Sequence, residues 1–245
     1  MFRNFKTIED YVLSKKQVKT VALANAFDDH ALEALVMAKR KGIVKGILIG
    51  DVARTKKMLE DLGENCEDYE FIEEDDELAS AKLAVKLVKE KKADMPMKGL
   101  MMTSSFMKAI LDKENGLINP GHILSQATIL EFKEENRLMV ISDCAVNIMP
   151  DANKKIMITQ NAIDLAISLG IEKPNVAVLS ALEKVNPAIP STVDASIVAS
   201  YDKYNNLGNI IGPVAMDIAV SKEAALHKGV DSPVCGNADI LIMPD

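Results

Sequence analysis

The sequence predicts an α/β protein with parallel-rich sheets, on three observations. Apolar runs of strand length, among them Val21 to Ala24, Gly46 to Gly50 and Val176 to Leu179, alternate with longer segments of helical apolar spacing. Most junctions carry a glycine or a cluster of Asp, Asn, Ser and Pro. The polar clusters follow the apolar runs, and the carboxyl ends of parallel strands are where such sheets hold ligands.

Each element has its own reason. Thr7 to Lys16 reads as a short helix with a threonine cap and an acidic first turn. Val21 to Ala24 is a buried strand, after which Asp28 and Asp29 open a helix with Leu32, Leu35, Val36 and Ala38 at helical spacing. Gly46 to Gly50 is a second strand, and the helix through Lys56 to Leu62 ends at Gly63, a residue suited to a left-handed helix exit. Tyr69 to Ile72 is the third strand. Behind the acidic turn Glu73 to Glu77, a helix buries Leu78, Ala81, Val85 and Val88 and turns Lys82, Lys86 and Lys89 to water.

The stretch Lys98 to Leu111 passes from a glycine turn through Thr103, Ser104 and Ser105 into a helix with Phe106, Ala109 and Ile110 on one face. Turn residues from Asn115 to Gly121 mark a shift in composition. The domain boundary is placed there, with a first α/β domain over 1–116 and a second over 117–245. Ala127 to Phe132 and Arg137 to Ser142, joined by the polar turn 133–136, form an antiparallel hairpin. Helix Lys154 to Leu169 stops at Gly170 and strand Val176 to Leu179 follows. A helix from Thr192 to about Tyr204, a turn at Ile210 to Pro213, a helix from Ser221 to His227 and a last strand, Asp239 to Ile242, complete the chain.

Composition narrows the function. A net charge of −7 without any Lys/Arg block argues against a nucleic-acid surface. Cys66, Cys144 and Cys235 are widely spaced, two of them in apolar runs, and read as reduced, buried thiols. Three histidines are too few for a multi-histidine centre, and no metal is expected. No segment has the apolar length of a signal peptide or a membrane span, so a cytoplasmic protein is expected.

Five polar clusters are candidate ligand groups. Thr103, Ser104 and Ser105 place hydroxyls and free N–H groups at the positive end of a helix, with Lys108 adding a cation, a combination that suits a phosphate or carboxylate. The same residues are what a plain helix cap requires. Asp143 and Asn147, Glu183 and Asn186, Asp217, and His227 with Lys228 form the others, and Lys98 precedes the first. Turn pinning, helix capping and pairing with lysines account for each of them singly.

Their collinear order is more specific. It runs Lys-Gly…Thr-Ser-x-Phe-Met-Lys-Ala-x-Leu, Ile-Ser-Asp-x-Ala-Val-Asn-Ile-x-Pro, Val-Leu-Ser-Ala-x-Glu-x-Val-Asn-Pro, Pro-Ser-Thr-x-Asp-Ala, Gly-Pro-x-Ala-x-Asp, Ser-x-Glu-Ala-Ala-x-His-Lys-Gly and Asn-Ala-Asp-Ile-Leu-Ile-x-Pro-Asp. From about Val21 to the last residue this resembles the phosphate acetyl/butyryltransferase family, most of all its phosphate butyryltransferase branch. The resemblance implies acyl transfer between coenzyme A and inorganic phosphate by direct attack in a ternary complex. It implies the two-domain fold of isocitrate and isopropylmalate dehydrogenases with a cleft between domains, and a homodimer packed through the second domain. It also implies no metal and no tightly bound cofactor, with coenzyme A as substrate.

By the same resemblance Thr103, Ser104 and the N–H groups near Ser105 form the phosphate or coenzyme A cradle. Lys108 stands where acetyltransferase members carry an arginine. Asp143, Asn147 and Asp217 are supporting candidates, and Lys98, Glu183, Asn186, His227 and Lys228 line the cleft.

Three positions depart from the family pattern. Ile211 replaces an acidic residue, Gln126 a histidine and Ile218 an asparagine. Family members also continue into a Gly-Asn-x-x-Tyr-Lys helix and a Ser-Arg…Asp segment credited with the chemistry. The 245 residues contain neither, which reads as a C-terminally truncated fold and leaves the catalytic residues unassigned. A non-catalytic binding or regulatory relative is the alternative expectation.

Overall fold

The computed structural model describes residues 1–133 and 135–245. The chain divides into two compact units, one formed by Glu9–Pro120 and the other by Met1–Ile8 with Gly121–Asp245. The first eight residues thus join the second half. Phe2 and Ile8 pack on that half's core, and the Phe2 N–H donates to the Leu169 carbonyl at 3.0 Å.

In the Glu9–Pro120 unit, strands β1 (Lys19–Ala24), β2 (Val44–Gly50), β3 (Glu70–Glu73) and β4 (Met95–Lys98) are all parallel, in the order β3-β2-β1-β4. Alternation along β1 feeds two cores. Val21 and Leu23 meet Leu32, Leu35 and Leu59 from helices α2 (Asp29–Arg40) and α3 (Val52–Asp61). Ala22 and Ala24 meet Ala81, Val85 and Ala109 from α4 (Glu77–Lys89) and α5 (Thr103–Ile110). A fully buried parallel sheet needs that apolarity on both faces.

Helix α1 (Phe5–Ser14) precedes β1. Asp28 and Asp76 cap α2 and α4 through their carboxylates, so the expected acidic turns are structural caps. Lys82, Lys86 and Lys89 are exposed as the spacing predicts, and Gly63 takes a positive φ of 73° just past α3.

The second unit carries β5 (Ala127–Phe132), β6 (Arg137–Ser142), β7 (Asn175–Leu179), β8 (Asn209–Val214) and β9 (Ile240–Ile242), ordered β5-β6-β9-β7-β8. β5 and β6 are the expected antiparallel hairpin, and every other pairing is parallel. Of the turn 133–136, Glu134 lies outside the described residues. Helices α6 (Ala152–Ser168) and α7 (Pro190–Ala199) cover one face, burying Ile158, Ile163, Ala195 and Val198. α8 (Met216–Val220) and α9 (Lys222–His227) cover the other, burying Ile218 and Ala225.

Three expectations are corrected here. Thr7 lies inside α1 and donates its N–H to the Asn4 side-chain oxygen at 2.9 Å, so Asn4 and not Thr7 caps this helix, and its first turn holds no acidic residue. Ile210 to Pro213 is not a turn but part of β8, which lies at a sheet edge, where a proline costs no ladder bond on the open side. The helix expected through Tyr204 ends at Ala199, and a separate short 3-10 turn spans Asp202–Tyr204.

At the amino-terminal end of the first sheet, Glu64 collects Lys39 at 2.7 Å, Arg40 at 2.8 Å and the Tyr69 hydroxyl at 2.7 Å. The Lys39 hydrogen bond holds the Glu64 carboxyl down to about 2 despite burial, helped by Tyr69 and Arg40. A depressed folded pKa contributes stability that is complete above the ordinary carboxylate value and disappears as pH falls toward 2. Glu64→Gln is therefore expected to melt several degrees lower at pH 7, with the gap to the parent closing between pH 4.5 and 2. A gap that stays constant down to pH 2.5 would contradict this.

Candidate active site

Strand order reverses at β1. β2 and β3 lie to one side and β4 to the other, so the carboxyl ends of β1 and β4 form a topological switch point where open α/β sheets hold ligands. The chain is tightly zipped there. Gly99 donates to the Ala24 carbonyl at 2.8 Å and Leu100 to the Asn25 carbonyl at 3.1 Å. A Cβ on Gly99 would lie 2.1 Å from the Asn25 oxygen, so only glycine fits. Lys98 points its ammonium at the Gly99 and Met101 carbonyls, at 3.2 and 3.0 Å, and so braces this loop.

α5 starts directly after the switch point. Its cap residue is Met102 and not one of the hydroxyl residues, and no side chain caps it. Thr103, Ser104 and Ser105 occupy the first turn instead. The Ser105 and Phe106 N–H groups both turn back to the Met102 carbonyl, leaving those of Thr103 and Ser104, both exposed, for solvent or an anion. Lys108 is exposed in the last turn of this helix, about 7.5 Å along the axis from Thr103.

In the other unit, the carboxyl ends of β6, β9, β7 and β8 share one edge because these strands are parallel. Asp143, immediately after β6, is almost fully buried and accepts four hydrogen bonds. The Ala145 and Val146 N–H groups reach one oxygen at 2.9 and 2.8 Å. The Gln126 N–H and the Asn147 amide reach the other at 3.1 and 2.7 Å. Burial pushes this carboxyl up, but the four donors more than offset it and hold it below the ordinary aspartate range. Asn147 also donates to the Leu124 carbonyl at 2.9 Å. Both residues are thereby engaged in holding the loop.

Glu183, after β7, and Asp217, in the first turn of α8, both bind Lys228, at 2.7 and 3.0 Å. The shared ammonium lowers both carboxyls, and its own pKa rises. Asn186 pairs its N–H with the Thr192 hydroxyl at 2.8 Å and accepts the Ala188 N–H at 3.0 Å, shaping the entry to α7. His227 is exposed at the end of α9.

The thiol expectation is corrected. Cys235 is buried, but Cys66 is half-buried and Cys144 exposed, because a polar loop and not a strand carries Cys144. Among the described residues no group of three or more His, Cys, Asp or Glu could hold a metal ion, and no helix is long and apolar enough to cross a membrane.

Sequence reasoning passed over Gln126 as an ordinary departure and gave Asn25 no role. Asn25 ties Leu100 to Ser80 at the switch point, donating its amide to the Leu100 carbonyl at 3.0 Å and its N–H to the Ser80 hydroxyl at 2.9 Å. An asparagine directly after the apolar run Val21 to Ala24 was the available signal, since Asn tolerates the left-handed region that this strand exit takes, with φ at 48°.

Parallel strands ending in polar loops, with a helix start at a switch point, place the molecule among α/β enzymes that gather ligands at strand ends. Residues 73–245 match the family described as phosphate acetyl/butaryl transferase. The chain is 39% identical over its whole length to a phosphate butyryltransferase of Clostridium acetobutylicum, of which it spans 81%. It is 34% identical over 95% of its length to a phosphate acetyltransferase of Thermotoga maritima, spanning 79% of that protein. A branched-chain phosphotransacylase from Enterococcus faecalis superposes with a TM-score of 0.75 at 29% identity, over 93% of this chain and 79% of that one. The protein is a transferase, and it belongs to the phosphate acetyl/butyryltransferase family.

Proposed function

We propose that this chain moves a short-chain or branched acyl group between coenzyme A and inorganic phosphate. The coenzyme A thiolate attacks the carbonyl of the acyl phosphate in a ternary complex, the C–S bond forms and phosphate leaves. In reverse, phosphate oxygen attacks the thioester and the thiolate leaves. Coenzyme A is a substrate, with no tightly held cofactor. The two-domain fold of the isocitrate and isopropylmalate dehydrogenases, a cytoplasmic location and a homodimer packed through α6 and α7 belong to the same reading.

The observation that carries the site assignment is the first turn of α5, where Thr103, Ser104 and Ser105 stand at the carboxyl end of β4 beside the switch point. Lys108 supplies the charge, as a point cation without the bidentate fork of arginine. Lys98, Asp143, Asn147, Asn186, Glu183, Asp217 and Lys228 serve as scaffold around their loops, and His227 stays a candidate contact.

The non-catalytic alternative is not favoured. Two of its three supports are packing residues, since Ile218 is fully buried and Ile211 packs on the same core. The third, Gln126, is engaged in the Asp143 loop.

The test follows thiol release from acetyl-, butyryl- and isobutyryl-CoA with and without phosphate. Release that depends on phosphate is expected, and Lys108→Ala should weaken phosphate or coenzyme A binding by about tenfold, the size of one charged contact. Equal affinities for both ligands in parent and variant would move the anion site elsewhere.

A further inference from the structure

Gln126, the residue just before β5, makes more connections to the loop after β6 than leading into a strand requires. The orientation of its carboxamide is set by chemistry, because the Cys144 N–H can only donate and must face the oxygen, at 3.2 Å. The amide nitrogen then donates to the Thr128 hydroxyl. The backbone of the same residue donates to Asp143 at 3.1 Å and accepts from the Ser142 hydroxyl at 2.8 Å. Three consecutive residues, Ser142, Asp143 and Cys144, are thus each held by a different group of Gln126.

We propose that Gln126 is a positioning residue that sets the loop after β6 through one acceptor and one donor, neither of which titrates. Acyl transfer that uses this loop then proceeds without a protonation step there between about pH 5.5 and 8, the range in which histidine changes charge. The inference rests on the acyl-transfer reading for its kinetic arm only.

The groups facing Gln126 leave that window clear. From the loop they are Asp143, whose carboxyl is held below the ordinary range, and Cys144, whose thiol is pushed up by burial and by Asp143. From β5 the neighbour is Thr128, which carries no charge. From α6 it is Asn161, also uncharged, which holds the preceding Ser125 hydroxyl at 2.9 Å and the Ile123 carbonyl at 3.2 Å.

A neutral imidazole also offers one acceptor and one donor, whereas imidazolium offers two donors and would oppose the Cys144 N–H. Gln126→His and Gln126→Ala therefore separate positioning from plain stability. The first measurement is kcat/KM for phosphate-dependent thiol release from pH 5.5 to 8.5. The second is the rate of Cys144 alkylation by iodoacetamide, mapped by mass spectrometry and expressed relative to the parent at each pH. Cys144 is the exposed thiol and therefore reports the loop directly.

Gln126→Ala is expected to lose about tenfold in kcat/KM at every pH, the size of one lost hydrogen bond. It should also alkylate several-fold faster. Gln126→His should match the parent within about twofold at pH 8 and fall progressively toward Gln126→Ala as the pH drops to 5.5, in both measurements. A Gln126→His profile parallel to the parent, or parent-like alkylation in Gln126→Ala, would overturn the assignment. Absence of phosphate-dependent release from every variant, including the parent, would overturn the acyl-transfer reading alone, and alkylation would still decide the role of Gln126.

Discussion

Asp194→Ala is expected to lower the melting temperature by about 10 °C at pH 7. The carboxylate of Asp194 on α7 binds the Lys155 ammonium on α6 at 2.9 Å, and the Lys155 side chain is only 3% exposed. Removing the partner strands a buried cation, which costs about 3–5 kcal/mol, and each kcal/mol moves the midpoint of a chain this size by roughly 2–4 °C. Replacing both residues with apolar ones, Lys155→Met with Asp194→Leu, should recover most of the loss. A deficit under about 1 kcal/mol would show that the ammonium reaches water.

Asp143→Asn should have the second large effect. It places an amide NH2 where donors already converge on both oxygens of the carboxylate, so at least one N–H of the loop faces another donor. A loss of about 3 kcal/mol in denaturant unfolding is expected, since bonds to a charged acceptor are the costly ones to break. Phosphate-dependent thiol release should fall on the order of a hundredfold if the loop shifts by an ångström. Asn147→Ala removes a donor and leaves the acceptor in place, so it should cost about 1 kcal/mol. Because the folded Asp143 pKa lies below the ordinary value, its contribution is complete above about pH 4 and is lost only below that. The gap between parent and Asp143→Asn must therefore be constant from pH 7 to pH 5. Narrowing in that interval would mean the carboxyl titrates there.

The elements that spacing located are the ones whose burial pattern is local. Val85 and Val88 repeat on one face of α4, and Val21 to Ala24 are apolar throughout because both faces of β1 are covered. Those it missed are edge strands interrupted by proline. β4 contains Pro96 and β8 contains Pro213, and each lies at the end of its sheet. Proline argues against a central strand, and nothing in a local window says which strands lie at an edge. α8 was missed because five residues carry too little periodicity to register.

The sequence by itself determined the alternation of strands and helices and, through seven collinear motifs, the family. Those motifs are local strings in fixed order, and local strings survive in a linear reading. Only the tertiary structure decided which polar residues are spent on scaffolding. Glu183 and Lys228 are 45 positions apart, and Gln126 and Asp143 are 17 apart, yet each pair shares a hydrogen bond. Thr103 and Ser104 stay exposed on a helix start whose cap is an apolar methionine, and Lys108 is exposed in the last turn of that helix. A residue type states what a side chain can bind, whereas the distance to a partner states what it does bind, and that distance exists only after the sheets have formed.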